Sequence, residues 1–268
     1  MNKTIFITGS SQGLGKTTAK LFASKGWTVI ATMRNPEMET ELTQLPNVHL
    51  LKLDISNAKQ IIEVVEEAEK ISPIDVLFNN AGFGLAGPLE ATSDEQIEKL
   101  INTNLLGTIL LTRAFIPYFK KRNSGTIITT TSSTAYIPYP FIAVYEATKA
   151  ALENWSASMS YELDRFDISI KTVVPGYMQT NFGQNGAFVA HEDYQEEFNK
   201  YIGVLMSEIG SISDSTEVIA EVVFTASTDN KKQISYIAGH HATKEVEWLD
   251  NDGMEVVMQT MRNRFFGN

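Results

Sequence analysis

Tyr145 and Lys149 stand four residues apart in Tyr145-Glu146-Ala147-Thr148-Lys149, at the start of a helical stretch that runs to about Phe166. Positions i and i+4 share a helix face, so this spacing sets a phenol beside an ammonium. The pair suits proton transfer. An unperturbed phenol titrates near ~10, and bringing it to about 7 takes roughly 4 kcal/mol of preferential phenolate stabilisation, which a neighbouring ammonium helps supply. The spacing alone recurs by chance and fits an ordinary structural pair equally well. Ser132, however, lies 13 residues before Tyr145, at the end of a β-branched run. A Pro-containing loop between them returns the serine hydroxyl towards the start of the tyrosine's helix. Hydroxyl, phenol and ammonium together could polarise a carbonyl and exchange a proton with its oxygen.

A second chemical signal is Thr8-Gly9-Ser10-Ser11-Gln12-Gly13-Leu14-Gly15, between the first apolar run and the first helical stretch. Glycines there let the backbone approach a pyrophosphate, and a helix N-terminus offers free N–H groups. Two phosphate-binding readings compete. Ser10 to Thr17 also matches the P-loop pattern G-x-x-x-x-G-K-[ST], with Ser in place of its first Gly. A nucleotidase would use Lys16 on phosphates, Thr17 on Mg²⁺ and Asp54 as the acid after a strand. The missing glycine counts against that reading, because it begins the tight wrapping loop.

Positioning such groups requires regular elements, and the chain supplies them in alternation. Strands are expected at Thr4–Ile7, Trp27–Thr32, Val48–Leu53, Ile74–Phe78, Gly125–Thr130, Ile168–Val174 and Gln233–Ala238, with helical segments between them, the first over Thr17–Lys25. This implies an α/β fold: a single Rossmann-type, doubly wound domain over 1–268, with a mostly parallel seven-stranded sheet and helices on both faces. In the helix at 57–72, Ile61, Ile62, Val65, Ala68 and Ile71 form the expected buried face, and Glu63, Glu66, Glu67 and Glu69 a solvated one. No repeat, low-complexity tract or linker marks a boundary. The stretch 182–212 breaks the alternation with Phe182, Phe188, Tyr194, Phe198 and Tyr201, and reads as a helical insertion over a pocket. From Lys244 on, Val246, Leu249, Met254, Val257, Met258, Met261 and Phe265 predict one or two amphipathic helices, a C-terminal extension over 241–266.

Composition narrows the function classes. The 268 residues are 43% hydrophobic and 20% charged, with 17 Gly and 8 Pro, which excludes disordered and collagen-like chains. Lys+Arg number 22 against 32 Asp+Glu, and the formal charge of −10 repels nucleic acid and anionic lipid. With no Cys there is no disulfide, thiolate nucleophile or Cys-based metal site. The four His (His49, His191, His240, His241) lack metal-ligand spacing, and His240-His241 reads as a surface turn. The first residues lead directly into Ile5-Phe6-Ile7 without the basic flank and long core of a secretion signal. No run reaches the roughly 18–20 apolar residues of a membrane span. The expectation is a soluble cytoplasmic protein.

Taken together, the sequence resembles the short-chain dehydrogenase/reductase family over nearly its whole length. The matching motifs occur in family order: TGxxxGxG at Thr8–Gly15, NNAG at Asn79-Asn80-Ala81-Gly82, a helix asparagine at Asn104, the serine at Ser132, YxxxK at Tyr145 and Lys149, and a PG turn at Pro175-Gly176 with Thr180 beyond. The resemblance implies an oxidoreductase that interconverts a carbonyl and an alcohol using a nicotinamide cofactor. It implies Tyr145 as general acid/base, Ser132 bonded to the substrate oxygen, Lys149 on the nicotinamide ribose, and Asn104 holding a water in a proton relay. Its cofactor site would comprise Gly9, Ser10, Ser11, Gly13, Leu14, Gly15, the adenine-contacting pair Asp54-Ile55, Asn80, Ala81, Gly82, Tyr145, Lys149, Pro175, Gly176 and Thr180. It also implies a homodimer or homotetramer.

NAD-preferring sites place an acid at the end of the second strand to hold the ribose 2′-OH. Here Ile30-Ala31-Thr32-Met33-Arg34-Asn35 offers none before Glu37, and Arg34 stands where a guanidinium could pair with a 2′-phosphate, so NADP(H) is favoured over NAD(H). Phe83, Tyr136, Ile137, Tyr139, Phe141 and Tyr177 surround the expected chemistry and imply an apolar, medium-to-large carbonyl or alcohol. Ala31-Thr32-Met33-Arg34 and Asn80-Ala81-Gly82-Phe83-Gly84 look like the hydroxysteroid and retinol dehydrogenase branch. Glu146, where small residues are commoner in the family, faces either the substrate entrance or a neighbouring subunit. Two other readings stand beside the oxidoreductase: a catalytically silent dinucleotide sensor and the P-loop nucleotidase.

Overall fold

Ile5 and Ile7 leave the first strand on one side and Phe6 on the other, and all three are fully buried. Only a sheet covered on both faces buries both side-chain sets of one strand. The computed structural model describes residues 3–180 and 186–267. Within them run β1 (Thr4–Thr8), α1 (Gly13–Ser24), β2 (Thr28–Met33), β3 (Val48–Lys52), α2 (Ala58–Ile71) and β4 (Val76–Asn79). A short β5 (Leu85–Ala86), α3 (Asp94–Ile101), a π turn at Asn102–Leu106, α4 (Gly107–Arg122), β6 (Gly125–Thr130) and α5 (Ala143–Leu163) follow. The chain continues through β7 (Ile168–Pro175), β8 (Ala187–Phe188), α6 (Gln195–Ile212), α7 (Thr216–Thr228), β9 (Ser235–Ala238), α8 (His240–Asp252) and α9 (Met254–Phe266).

Seven strands form one parallel sheet in the order β3-β2-β1-β4-β6-β7-β9. The chain winds outward from β1 to β3, then crosses to β4 and winds the other way. That reversal opens a crevice at the carboxyl ends of β1 and β4, where doubly wound sheets bind ligands. One face packs on α1 and α7 through Phe22, Ala19, Ile219 and Val223. The other packs on α2, α4 and α5 through Ile61, Leu111, Phe115 and Leu163. A third apolar cluster, with Tyr139, Phe198, Tyr201, Val257, Met261 and Phe265, joins α6 and α9 beside the sheet. This is the single Rossmann-type domain expected from the alternation.

Several local expectations need correction. α1 begins at Gly13, inside the glycine loop, rather than at Thr17. On α2 the buried face is Ile61, Val64, Val65 and Ala68, while Ile62 and Ile71 are exposed, because 3.6 residues per turn carry them off the face. β5 and β8 add a two-stranded parallel ladder that the sequence did not signal. Met254 and Met258 are exposed on α9, whereas Val257, Met261 and Phe265 are buried. His240 and His241 are no surface turn: they open α8, and the His241 side chain packs on Tyr177 with ring centroids 5.2 Å apart. Phe182 lies outside the described residues.

Candidate active site

Close backbone approach defines the glycine loop. Gly9 has φ +69°, and a Cβ on it would stand 2.9 Å from Ala81 Cα. A Cβ on Gly15 would stand 2.3 Å from the Gly9 carbonyl oxygen and 2.7 Å from Asn80 Nδ2, so the first turn of α1 fits against β1 and β4 only with hydrogen there. Thr8 ties the two strand ends together: its Oγ1 accepts from the N–H groups of Asn80 and Ala81, both at 2.9 Å. No side chain caps the N-terminus of α1, and its first turn carries no acid. Its leading N–H groups and positive dipole end therefore face a cavity of about 530 Å³ lined by Gly9, Ser11, Gly13 and Leu14.

Two loop residues serve the framework instead of the cavity. Ser10 is fully buried, with its N–H on Thr32 O at 3.0 Å and its hydroxyl on Ile7 O at 3.2 Å. Gly15 packs behind the wall. The nucleotidase reading fails on geometry. Lys16 turns away from the cavity to Glu41 at 2.6 Å and Glu39 at 3.2 Å, and the Thr17 hydroxyl pairs with that of Thr216 at 2.8 Å. Arg34, Asp54 and Ile55 line the cavity beyond β2 and β3. The Ser56 hydroxyl, 2.7 Å from Asp54 Oδ1, holds that carboxyl below its usual range. Arg34 is exposed, and among the described residues no carboxylate forms an ion pair with it.

The chemical groups meet at the end of β6. Lys149 is buried and donates to Thr130 O at 2.9 Å. Two positions on, Ser132 Oγ accepts from the Thr134 N–H at 3.2 Å and also bonds the Tyr145 phenol. The Lys149 ammonium lies 5.8 Å from the Tyr145 ring centre. Burial pushes Tyr145 up to about 12, against the Ser132 hydrogen bond, and pushes Lys149 down to about 8, against the charge of Glu153. The expected lowering of the phenol is therefore not a property of the chain by itself; its own environment keeps Tyr145 protonated. Asn104 sits in the π turn and does not line the cavity. Its amide is engaged by Phe83, accepting from the N–H at 3.1 Å and donating to the carbonyl at 2.9 Å. Asn80, Ala81, Gly82, Pro175, Gly176 and Thr180 all line the cavity.

Opposite this sheet-end wall stands the cap. Of the six residues expected around the substrate, Phe83 and Tyr177 reach the cavity. Tyr136 turns to Glu153 at 3.3 Å, Ile137 is fully buried, and Phe141 packs on Phe198 with ring centroids 5.2 Å apart. Tyr139 donates its N–H to Glu146 at 2.6 Å and its phenol to Glu245. Glu146 thus faces the base of the cap, where burial pushes its carboxyl up to about 7. α6 supplies Tyr201, Ile202, Leu205, Met206 and Ile209 to the cavity. The aromatics dominate this stretch of sequence, but the 202, 205, 206, 209 spacing of the other members is the helical one-face pattern that marks them.

Residues 3–187 match the family model described as short chain dehydrogenase. The chain belongs to that family. It is 32% identical over 209 residues to a 3-ketodihydrosphingosine reductase of Bacteroides thetaiotaomicron, covering 76% of each chain. The structure of a short-chain dehydrogenase from Streptomyces avermitilis superposes with a TM-score of 0.85 at 26% identity over 98% of both chains. ElxO with NADP bound superposes with a TM-score of 0.74 at 26% identity, over 88% of this chain and 98% of that one.

As a short-chain dehydrogenase, the protein is an oxidoreductase acting on CH–OH and C=O groups with a nicotinamide cofactor. The residues present fit such a group: the α1 N-terminus without a capping side chain, the Gly9 and Gly13 backbone that lines the cavity beside it, and the run of cavity from Arg34 to Lys149. Among the described residues no three His, Asp or Glu cluster as metal ligands, and no helix is long and apolar enough to cross a membrane.

Proposed function

We propose that this short-chain dehydrogenase prefers NADP(H) and interconverts a carbonyl and an alcohol on an apolar, medium-sized substrate, with Tyr145 as the general acid/base. The observation that carries the reading is one cavity whose wall holds Ser132, Tyr145 and Lys149 at one end and Arg34 at the other, beneath the apolar side chains of α6. A cavity of about 530 Å³ suits a small-molecule ligand.

Gly9, Ser11, Gly13 and Leu14 hold the cofactor's diphosphate at the α1 N-terminus, Asp54 and Ile55 border its adenine end, and Asn80, Ala81, Gly82, Pro175, Gly176 and Thr180 flank its nicotinamide half. When bound, that cofactor supplies or accepts the hydride. Ser132 donates to the substrate oxygen and polarises the carbonyl. Tyr145, kept protonated by burial, gives its proton to the same oxygen. Lys149 holds a positive charge behind the phenol and reaches the ribose hydroxyls. Asn104 clamps the Phe83 backbone on the wall, and the π turn widens the helix at the position where the family resemblance puts the relay water. The guanidinium of Arg34 pairs with the 2′-phosphate. Leu205, Met206 and Ile209 exclude water from the reacting carbon.

NADPH and NADH are titrated against the chain by fluorescence, followed by NADPH oxidation over a panel of apolar ketones and aldehydes. The expected result is tighter NADPH binding and turnover of apolar carbonyls. Replacing Arg34 by Glu is expected to weaken NADPH by about 10–100-fold and NADH by much less, since a charge-assisted bond contributes roughly 1.5–3 kcal/mol. Equal loss for both cofactors, or no oxidation across the panel, contradicts the reading.

A further inference from the structure

Glu153 stands two turns beyond Tyr145 on the same face of α5, at i+8 from Tyr145 and i+4 from Lys149. No motif singled it out. Its carboxylate gathers four hydroxyls from three separate segments. The Thr131 hydroxyl bonds Oε1, while Thr172 of β7 and Ser235 of β9 donate to Oε2 at 3.0 Å each and Tyr136 reaches it at 3.3 Å. A carboxylate accepts only, and its two oxygens offer about four lone-pair positions, which the four hydroxyl donors occupy.

Thr131 gives this cluster a mechanical consequence. It lies between Thr130, whose carbonyl receives the Lys149 ammonium, and Ser132, whose hydroxyl meets Tyr145. Holding the Thr131 hydroxyl therefore fixes the backbone that carries both contacts. The electrostatic consequence points the same way. Lys149 is buried, and burial disfavours its ammonium; Glu153 is the charge acting in the opposite sense. On Glu153 itself the neighbouring titratable groups are Lys149 from the same helix and Tyr136 from the loop after β6. β7 and β9 present the hydroxyls of Thr172 and Ser235 there. Lys171, the ionisable side chain of β7, points away to Asp229 at 2.8 Å.

We infer that Glu153 is a positioning residue of the active site: a carboxylate strapped to β6, β7 and β9 that fixes the Thr130–Ser132 backbone and keeps Lys149 an ammonium. The inference rests on the proposed roles of Tyr145 and Lys149, yet it can be tested without turnover. Acetylation of Lys149 by acetic anhydride in the cofactor-free chain, followed by peptide mass mapping against pH, reads the protonation of that amine directly. In the wild type the midpoint is expected near about 8. In Glu153→Gln, which keeps the shape and removes the charge, it is expected to fall by about one pH unit, with acetylation at neutral pH rising about fivefold. The alkaline limb of NADPH binding should move with it. An unchanged midpoint overturns the inference.

A shifted midpoint in a chain that oxidises no NADPH with any carbonyl leaves the Glu153 assignment standing and overturns the proposed function instead. Should Glu153→Gln fail to fold, Thr131→Val removes one strap at constant shape. Its kcat is then expected to fall severalfold while KM for NADPH holds, and an unaltered kcat overturns the inference.

Discussion

The cavity has two walls built on different principles. The sheet-end wall, from Thr8 through Asn80, Thr130 and Ser132, is a lattice of hydrogen bonds in which strand ends, glycines and hydroxyls fix one another within about 3 Å. The cap wall is apolar side chains on α6, and it leaves Phe188 and Met206 largely exposed, at 59% and 65%. In the proposed function one wall positions charge and protons and the other accommodates shape. The contrast is sharpest on α5, where two glutamates seven residues apart meet opposite surroundings. Glu153 faces the sheet and receives four hydroxyls, whereas Glu146 faces the cap and receives the single N–H of Tyr139 at 2.6 Å.

The largest effect is expected on the rigid wall. Replacing Gly15 by Val forces a side chain into the Gly9 carbonyl and Asn80, and cofactor affinity measured by fluorescence titration should fall by about 100-fold or more, since several diphosphate hydrogen bonds are lost together. A variant that binds NADPH normally would show that the glycine loop is not the rigid element described here. On the cap wall the response should be smaller and of a different kind. Leu205→Ala removes apolar contact of about 1.5–2 kcal/mol at most. KM for an apolar carbonyl is expected to rise about tenfold, with kcat changing less than threefold. An equal fall in kcat would mean that the cap also positions the reacting atoms.

The two walls also differ in how far the sequence exposed them. Gly9, Ser132, Tyr145 and Lys149, which line one cavity, were legible because close backbone approach and a grouped hydroxyl, phenol and ammonium admit few residue types, at spacings the fold dictates. Ser10 fitted the same motif yet belongs to the framework: a motif names positions and does not say which way each side chain turns. The cap is faint in the sequence for a physical reason. Any apolar residue serves a contact surface, so Tyr136, Ile137 and Phe141 looked as suitable as Ile202, Leu205 and Met206, and tertiary packing decided between them. Glu153 was invisible because its partners lie in three stretches far apart in sequence: the turn after β6, β7 and β9.

A subtler difference concerns the α5 glutamate at the cap. Burial raises the Glu146 carboxyl from 4.5 to about 7, so folding favours its neutral form. The stability linked to this group is fully present below pH 4.5 and is lost as pH rises through about 7, where keeping the charge costs of order 3 kcal/mol. Glu146→Gln retains an acceptor for the Tyr139 N–H and removes the charge. Thermal melts should therefore show a variant stabilised by a few degrees at alkaline pH and matching the wild type below pH 4.5. A stabilisation independent of pH would point to packing.

That Tyr145 moves the proton while the rest of the wall binds the cofactor is the step on which the proposed function depends. It is tested most directly by replacing Tyr145 with Phe and measuring kcat for an apolar carbonyl beside the NADPH dissociation constant. The expected result is kcat lower by about 10²–10⁴-fold with NADPH affinity within a few fold of the wild type. Turnover within tenfold of the wild type would contradict it.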